Sequence, residues 1–158
     1  MSAEAVSLER LRRALVADPA GDVPHGLQFL EAYVRRSWQY LGVAGPGGKP
    51  LRAAVFGAGA HTRWLHGLVV PRGIRGPEVV ALLDDRPEPD ARYWDLEPQP
   101  SDQLDPSSVD MVVLSSDTCA AALATRCSEL FGDAVDTFDF YEGLPTGPFF
   151  KRLNDWWE

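Results

Sequence analysis

Residues 51–69, LRAAVFGAGAHTRWLHGLV, join an apolar run to a glycine-rich turn and then to a helical pattern. The apolar residues 51–56 predict a buried strand, and His61 to about Val70 predicts a helix. Gly57 and Gly59 lie between them, where glycine permits a tight turn and close approach of backbone N–H groups to a ligand. The positive end of the helix would face the same point. The segment therefore predicts a strand–turn–helix unit that holds a diphosphate.

The glycine pattern is incomplete, because Thr62 stands where G-x-G-x-x-G has its third glycine. The Thr62 hydroxyl can donate to a phosphate, or its methyl group can pack against the sheet. Its bulk is expected to widen the helix–sheet spacing or to displace the diphosphate. His61 is expected to be neutral at a helix start, where it either hydrogen-bonds a phosphate or substrate oxygen or caps and packs locally.

The composition indicates one domain of ordinary globular type. The chain has 158 residues, of which 45% are hydrophobic, enough to bury one continuous core. No apolar run approaches the roughly 18 residues that a membrane-spanning helix needs. The first ten residues contain acids and no uninterrupted apolar stretch, so they do not predict a secretory signal. Together these features predict a soluble, cytoplasmic protein.

The charge distribution argues against two classes of partner. The formal net charge is −8, and residues 51–158 hold nine basic and eighteen acidic residues, whereas residues 1–50 hold six and five. Nucleic acids and anionic membranes attract positively charged surfaces, so neither is an expected partner. A nucleotide can still bind, because backbone amides and helix ends supply local positive potential.

The two ends of the chain differ in composition from its centre. Residues 1–41 predict a helical extension of two helices, the first marked by Leu8, Leu11 and Leu15 and the second by a stripe from Leu27 to Leu41. Residues 42–50, rich in glycine and proline, predict a linker. The helices can cover a sheet face or edge, dock on another subunit, or belong to a larger assembly. The aromatic tail, residues 146–158, either packs on its own domain or forms an oligomer contact.

Residues 51–145 alternate between apolar strands and helical patterns, which predicts a mainly parallel sheet. The predicted strands are residues 51–56, 78–83, 109–114 and 134–138, and a further helix is predicted over residues 118–130. Residues 86–108 are rich in Pro, Asp and Ser. In that stretch we expect only a short strand near residues 93–96 and a helical turn near residues 101–104.

Acidic and hydroxyl side chains follow two of the predicted strands. Asp84 comes 25 residues after Gly59, near the separation of about 20 at which dinucleotide-binding folds place a ribose-binding carboxylate. A plain surface turn is the alternative. A ribose-binding Asp84 would favour NAD over NADP, whereas nearby Arg86 leaves NADP open. Ser115 and Ser116 follow the next long strand and are expected to share the ligand crevice with the glycine loop.

Other polar residues receive structural assignments. Asp117 predicts the N-cap of the following helix. Tyr141 and Glu142 are expected at the same end of the sheet as the glycine loop. His66 is assigned to the helix surface or to packing. Because His61 and His66 are five residues apart and do not share a helix face, no metal site is predicted.

Three segments, AVFGAGAHTRWL (54–65), VALLDDRP (80–87) and VVLSSD (112–117), resemble small Rossmann-like nucleotide-binding domains found beside methyltransferase, glycosyltransferase and sugar-acyltransferase domains. The resemblance covers about residues 51–145. It implies an α/β fold with an open, mainly parallel sheet flanked by helices, to which residues 1–41 add an N-terminal helical extension. In relatives that act on sugars the crevice holds a nucleotide or nucleotide-sugar, which implies that Gly57, Gly59, His61, Thr62 and Asp84 lie near the ligand.

The leading hypothesis is a stand-alone Rossmann-like module that binds NAD or NADP, or another nucleotide or nucleotide-sugar, with no reaction assigned. The candidate site comprises the loop, the acid and the strand-end serines: Gly57, Gly59, Ala60, His61, Thr62, Asp84, Ser115 and Ser116. One alternative is a non-catalytic scaffold or homo-oligomer whose N-terminal helices and C-terminal tail form the partner surface. Another is a small NAD(P)-dependent oxidoreductase with His61 or Tyr141 as proton donor.

Overall fold

The computed structural model describes residues 23–116 and 119–142 of the chain. In chain order its elements are helix α1 (Val23–Leu41), strand β1 (Arg52–Phe56), helix α2 (Ala60–Val69), strand β2 (Glu78–Leu83), strand β3 (Pro98–Gln99), strand β4 (Met111–Leu114), helix α3 (Ala120–Phe131) and strand β5 (Asp136–Asp139). Short 3-10 turns cover Pro46–Gly48, Ser101–Gln103 and Pro106–Ser108. The long elements predicted between residues 23 and 139 are all present, with ends shifted by up to two residues.

The strands form one parallel sheet in the order β3-β2-β1-β4-β5. The Rossmann-like α/β arrangement predicted from the alternating strands and helices is confirmed. Phe56 at the end of β1 pairs with Leu83 at the end of β2 and with Leu114 at the end of β4. The residues that follow these three strand ends therefore start side by side at the carboxyl edge of the sheet: Gly57, Asp84 and Ser115.

Alternate residues of each central strand serve the two faces of the sheet. Val55 of β1 packs in the core formed with α1 and α2, whereas its neighbours Ala54 and Phe56 pack in the core formed with α3. β4 divides in the same way, with Val113 on the first face and Val112 on the second. This is the two-residue period of a strand that is buried on both faces. Both faces of the sheet are thus covered by helices.

Helix α1 covers the same face of the sheet as α2. Its buried side chains Leu30, Val34, Trp38 and Leu41 follow helical spacing and join the core that contains Val55. Fully burying one such aliphatic side chain contributes about 1.5–3 kcal/mol. Of the three roles considered for the N-terminal helices, covering a sheet face is the one that α1 fulfils. The stripe at Leu8–Leu15 and the tail at residues 146–158 lie outside the described residues.

Residues 42–50 are held against the domain by backbone contacts. The Leu51 N–H donates to the Leu41 carbonyl across the segment, and the Gly45 N–H donates to the Lys49 carbonyl. Gly76, in the turn before β2, lies so close to the Trp38 indole that an added Cβ would stand 2.1 Å from a ring atom. The segment is thus a turn anchored at Gly42 and Gly45, which are buried, while its other residues are exposed.

The strand expected near residues 93–96 is not present. Tyr93 and Leu96 instead form an isolated antiparallel bridge around Trp94 and Asp95, which have φ of 53° and 59°. Positive φ at two successive residues closes a two-residue turn and is incompatible with an extended strand. The sheet gains its edge strand two residues later, at β3, while the expected turn near residues 101–104 is confirmed by Ser101–Gln103.

No helix within the described part of the chain is both long enough and apolar enough to cross a membrane.

Candidate functional site

The sheet order changes direction between β1 and β4, so the carboxyl ends of these strands are where a ligand crevice is expected. The chain leaves β1 toward α2 on one face and leaves β4 toward α3 on the other. In open α/β sheets the ligand crevice lies at such a switch point. The glycine loop that follows β1 and the Ser115-Ser116 segment that follows β4 form its two sides.

Gly57 is required by the fold itself. Its φ is +111°, a conformation that side chains rarely adopt, and an added Cβ would stand 2.8 Å from the Ser115 carbonyl oxygen. Its N–H donates to the Leu83 carbonyl, which extends the β1–β2 ladder by one residue. The first glycine of the motif is thus explained by contacts with both neighbouring strand ends.

Asp84 holds the glycine loop to the end of β2. Its Oδ2 accepts the Ala58 N–H at 2.8 Å, and its Oδ1 accepts the Arg86 N–H at 2.8 Å. Asp85 turns to a different partner, the Ser101 N–H and hydroxyl, with the Arg126 guanidinium 3.6 Å away. The Ser101 N–H hydrogen bond is the main reason that the pKa of Asp85 is lowered. Asp84 therefore belongs to the candidate site, whereas Asp85 ties β2 to the β3 and α3 side.

Five residues from three strand ends form a continuous line of polar contacts, the carboxyl-edge network: Gly57, Thr62, Ser115, His61 and Tyr141. The Thr62 hydroxyl contacts the Gly57 carbonyl and lies 2.8 Å from Ser115 Oγ. His61 Nδ1 is 2.8 Å from Ser115 Oγ, and its Nε2 is 2.5 Å from the Tyr141 hydroxyl. His61, Thr62 and Ser115 are buried. The network links the loops after β1, β4 and β5.

The His61 ring is neutral in the folded protein. Burial lowers the pKa of His61 to about 3, because the charged imidazolium would lose its hydration. The ring is also packed among aromatic side chains, with its centroid 5.4 Å from Trp64 and 5.5 Å from Tyr141. A general acid works best with a pKa near the operating pH, so this environment does not favour His61 as a proton donor.

The structure brings most of the sequence-selected residues together. Gly57, Thr62, Asp84 and Ser115 converge at the carboxyl edge, with Gly59 and Ala60 at the start of α2. Ser116 is next to them, and its hydroxyl accepts the Cys119 N–H just before α3. Asp117, the expected N-cap, lies outside the described residues. That these residues bind a ligand stays a prediction.

The structure shows which atoms Thr62 and His61, two of the candidate site residues, contact. The hydroxyl of Thr62 is directed inward to the Gly57 carbonyl, so the residue at the third glycine position closes the loop on itself. Both ring nitrogens of His61 contact protein hydroxyl groups. Tyr141 is the member that sequence reasoning placed only by strand order. The signal for it was its position three residues beyond the last predicted strand, residues 134–138.

His66 belongs to a second group of rings on α2, the aromatic corner, formed by Trp38, His66, Tyr93 and Trp94. The His66 ring lies 5.4 Å from Tyr93 and 5.1 Å from Trp94, and Trp94 stacks on Trp38 at 5.5 Å. The expected packing role of His66 is confirmed. Within residues 23–116 and 119–142, no three His, Cys, Asp or Glu side chains converge as metal ligands would.

Comparison of the chain with protein-family models, with curated proteins and with solved structures found no match. The Rossmann-like arrangement therefore stands on the strand order and the helices that cover the sheet.

Proposed function

We propose that the chain binds a nucleotide at the carboxyl edge of its sheet, with NAD, NADP or a nucleotide-sugar as the ligand class and no reaction assigned. The proposal rests on the surroundings of Gly59, the residue just before α2. Its φ is −102° and its ψ is −148°, outside the helical and extended regions, and an added Cβ would meet no atom within 4 Å. The fold gives no packing reason for glycine here. A ligand that approaches the backbone closely at the start of α2 would give one.

The start of α2 supplies the potential that a diphosphate needs. The first N–H groups of a helix have no acceptor within it, and they carry partial positive charge. The first turn of α2 contains no acidic residue that would offset this potential. Anions bind at helix starts of this kind without a positive net charge on the protein. The net charge of −8 is therefore compatible with a phosphate-bearing ligand.

Asp84 supports a ribose next to the diphosphate. A carboxylate has about four acceptor positions. Asp84 uses its two oxygens for the Ala58 and Arg86 N–H groups, which leaves acceptor capacity for ribose hydroxyls. Its negative charge would repel a 2′-phosphate, so NAD is preferred over NADP in this proposal. The side chain of Arg86, two residues after Asp84, could instead bind a 2′-phosphate, so the affinities for NAD and NADP should be compared.

The two alternative hypotheses stay predictions. Helix α1 buries its apolar stripe on its own sheet, so within the described residues this stripe is not the surface of a scaffold. The low pKa of His61 does not suit the proton donor of an oxidoreductase.

The decisive experiment is calorimetric titration of the full chain with NAD, NADP, S-adenosylmethionine and UDP-glucose. We expect heat from at least one nucleotide, and a Gly59→Ala variant that binds it at least about ten-fold more weakly, since the new methyl group occupies the approach to the backbone. Alanine is a poorer N-cap than glycine, so the free energy of unfolding should fall by no more than about 1 kcal/mol.

Gly67→Ala is the matched control, because it introduces the same methyl group in the same helix where it also meets no atom within 4 Å. We expect this variant to bind as the unaltered chain does. No heat from any of the four compounds, or equal affinity of the Gly59→Ala and Gly67→Ala variants, would contradict the proposal.

A further inference from the structure

The basic residues of the chain are concentrated in one segment. Residues 32–77 contain seven Lys or Arg and no Asp or Glu, whereas the remainder of the chain contains eight basic and twenty-three acidic residues. A chain of formal net charge −8 thus has one positively charged segment. A local positive potential attracts anions whatever the sign of the total charge.

Two arginines of this segment line one cavity, the arginine groove, at the amino edge of the sheet. The cavity has a volume of about 750 Å³ and is bordered by Pro50 and Gly76, which lie just before β1 and β2. Arg36 and Gln39 of α1 line one side, and Arg75 of the turn between α2 and β2 lines another. Both arginines are exposed. Sites for small molecules typically measure about 300–1,000 Å³, so the groove is large enough for one.

The two sides of the arginine groove are held together by glycine contacts. An added Cβ at Gly42, just after α1, would lie 2.9 Å from the Gly76 carbonyl oxygen. An added Cβ at Gly76 would lie 2.1 Å from the Trp38 indole nitrogen. Neither position has room for a side chain. The backbone of the turn therefore lies directly against the end of α1, which sets the distance between the elements that carry Arg36 and Arg75.

The two arginines of the groove lack the carboxylate partners that several other arginines have. Elsewhere an Asp or Glu oxygen lies within 4.0 Å of the guanidinium of four arginines: Arg52, Arg63, Arg92 and Arg126. Within residues 23–116 and 119–142, neither Arg36 nor Arg75 forms such a pair, and Arg36 instead donates to the Gln39 amide oxygen at 3.3 Å. Two cations at one cavity repel each other, and an anion between them removes this cost.

A third arginine beside the groove has a buried donor without an acceptor. Arg35 lines an adjoining cavity of about 330 Å³ together with Arg36 and Gln39, which also line the arginine groove. Its Nη1 is buried and has no hydrogen-bond partner among the described residues, since the Glu31 carboxylate at 4.0 Å is beyond hydrogen-bond distance. A buried donor in this state incurs the full cost of its lost hydration. An anionic oxygen of a ligand would supply the missing acceptor.

We propose that the arginine groove is a second binding site, which takes a small organic molecule with two separated anionic groups, either phosphate or carboxylate. Guanidinium groups form paired, charge-assisted hydrogen bonds with the oxygens of both groups. Because Arg36 and Arg75 belong to different elements, each binds one anionic group of the ligand. The groove lies at the amino edge of the sheet and the nucleotide site is proposed at the carboxyl edge, so this proposal does not rest on the proposed function.

The requirement for two anionic groups is tested by calorimetric titration of the full chain with fructose 1,6-bisphosphate, fructose 6-phosphate and fructose. We expect the bisphosphate to bind at least about ten-fold more tightly than the monophosphate, and fructose to give no heat. Citrate is the carboxylate probe. Absence of heat from both the bisphosphate and citrate, or equally tight binding of the two phosphates, would overturn the proposal.

The position of the ligand is tested with Arg36→Gln and Arg75→Gln. Each should weaken binding of the bisphosphate or citrate by about ten-fold, the effect of losing charge-assisted hydrogen bonds to one anionic group. The matched control is Arg92→Gln, which removes the same charge at an exposed position in a different cavity and should leave the affinity unchanged. Equal losses in all three variants would overturn the proposal, because attraction by total charge would then account for the binding.

Gly59→Ala separates the arginine groove from the proposed nucleotide site. We expect this variant to bind the bisphosphate or citrate as the unaltered chain does, and Arg75→Gln to bind the nucleotide unchanged. Loss of bisphosphate binding in Gly59→Ala, with none in Arg75→Gln, would place the anion at α2 and overturn the proposal for the groove. Absence of nucleotide binding, with bisphosphate or citrate binding that depends on Arg75, would overturn the proposed function and support the groove.

Discussion

Helix α2 contacts two regions that each hold a residue at positive φ, and the interactions that stabilise the two residues differ. At its first turn the carboxyl-edge network holds Gly57, at φ +111°, by hydrogen bonds between polar side chains and backbone. Nearer its end the aromatic corner holds Trp94, at φ 53°, by ring packing on Trp38 and His66. The first region uses glycine for its positive φ, whereas the second offsets the strain of a bulky residue. Hydrogen bonds require particular atoms at particular positions, whereas ring packing requires only a side chain of suitable shape.

The largest effect is expected from Gly57→Ala. The new Cβ would lie 2.8 Å from the Ser115 carbonyl oxygen, and the φ of +111° strains any side chain. We expect the free energy of unfolding to fall by about 3 kcal/mol or more. Urea denaturation followed by circular dichroism measures this.

Gly67→Ala is again the reference, because it replaces a glycine inside α2 in open space. Here the free energy of unfolding should rise by about 0.5–1 kcal/mol. Similar values for the two variants would show that the glycine loop is not the constrained region described above.

The pH dependence of stability should distinguish the two histidines of α2. The pKa of His61 is about 3 in the folded chain, whereas an unfolded chain keeps the ordinary histidine value of 6.5. Between these values only the unfolded chain takes up the proton, so stability is fully present above pH 6.5 and falls as the pH decreases. From pH 7.5 to pH 5 we expect a loss of about 2 kcal/mol from this residue.

The measurement is urea denaturation at pH 7.5, 6 and 5 for the unaltered chain and for His61→Asn, whose profile should be flatter. Burial also lowers the pKa of His66, which adds a change of the same sign, so His66→Phe is the second comparison. Parallel profiles for the unaltered and His61→Asn chains would refute a buried neutral His61.

The same two regions show what the sequence could predict. The strand ends could be read from apolar runs, and strand-end position alone was enough to select Gly57, Asp84 and Ser115. The contacts of the network could not be predicted, because they join side chains that are more than fifty residues apart in the chain. The strand expected near residues 93–96 was wrong, because Trp94 has a positive φ and stacks on Trp38, a contact with a distant part of the chain that local composition does not reveal.

At Trp94 we expect glycine to be better tolerated than alanine. Both replacements lose the stacking on Trp38, but glycine adopts the φ of 53° without strain. The Trp94→Gly variant should therefore be about 1 kcal/mol more stable than Trp94→Ala. Arg92 is not among the residues of positive φ. At this position the alanine variant should have the higher free energy of unfolding, as is usual for alanine compared with glycine. An alanine variant that is the more stable at both positions would place the strain elsewhere.

The smallest effect is expected for His66→Phe. Phenylalanine keeps the ring that packs 5.4 Å from Tyr93 and 5.1 Å from Trp94, so at pH 7.5 the free energy of unfolding should change by less than about 0.5 kcal/mol. The same replacement at His61 removes two polar contacts and leaves the Ser115 and Tyr141 hydroxyls without that partner, at a cost of about 2 kcal/mol or more. Equal losses at the two positions would mean that His61, like His66, acts only as a ring, because only specific hydrogen bonds make a replacement of similar shape costly.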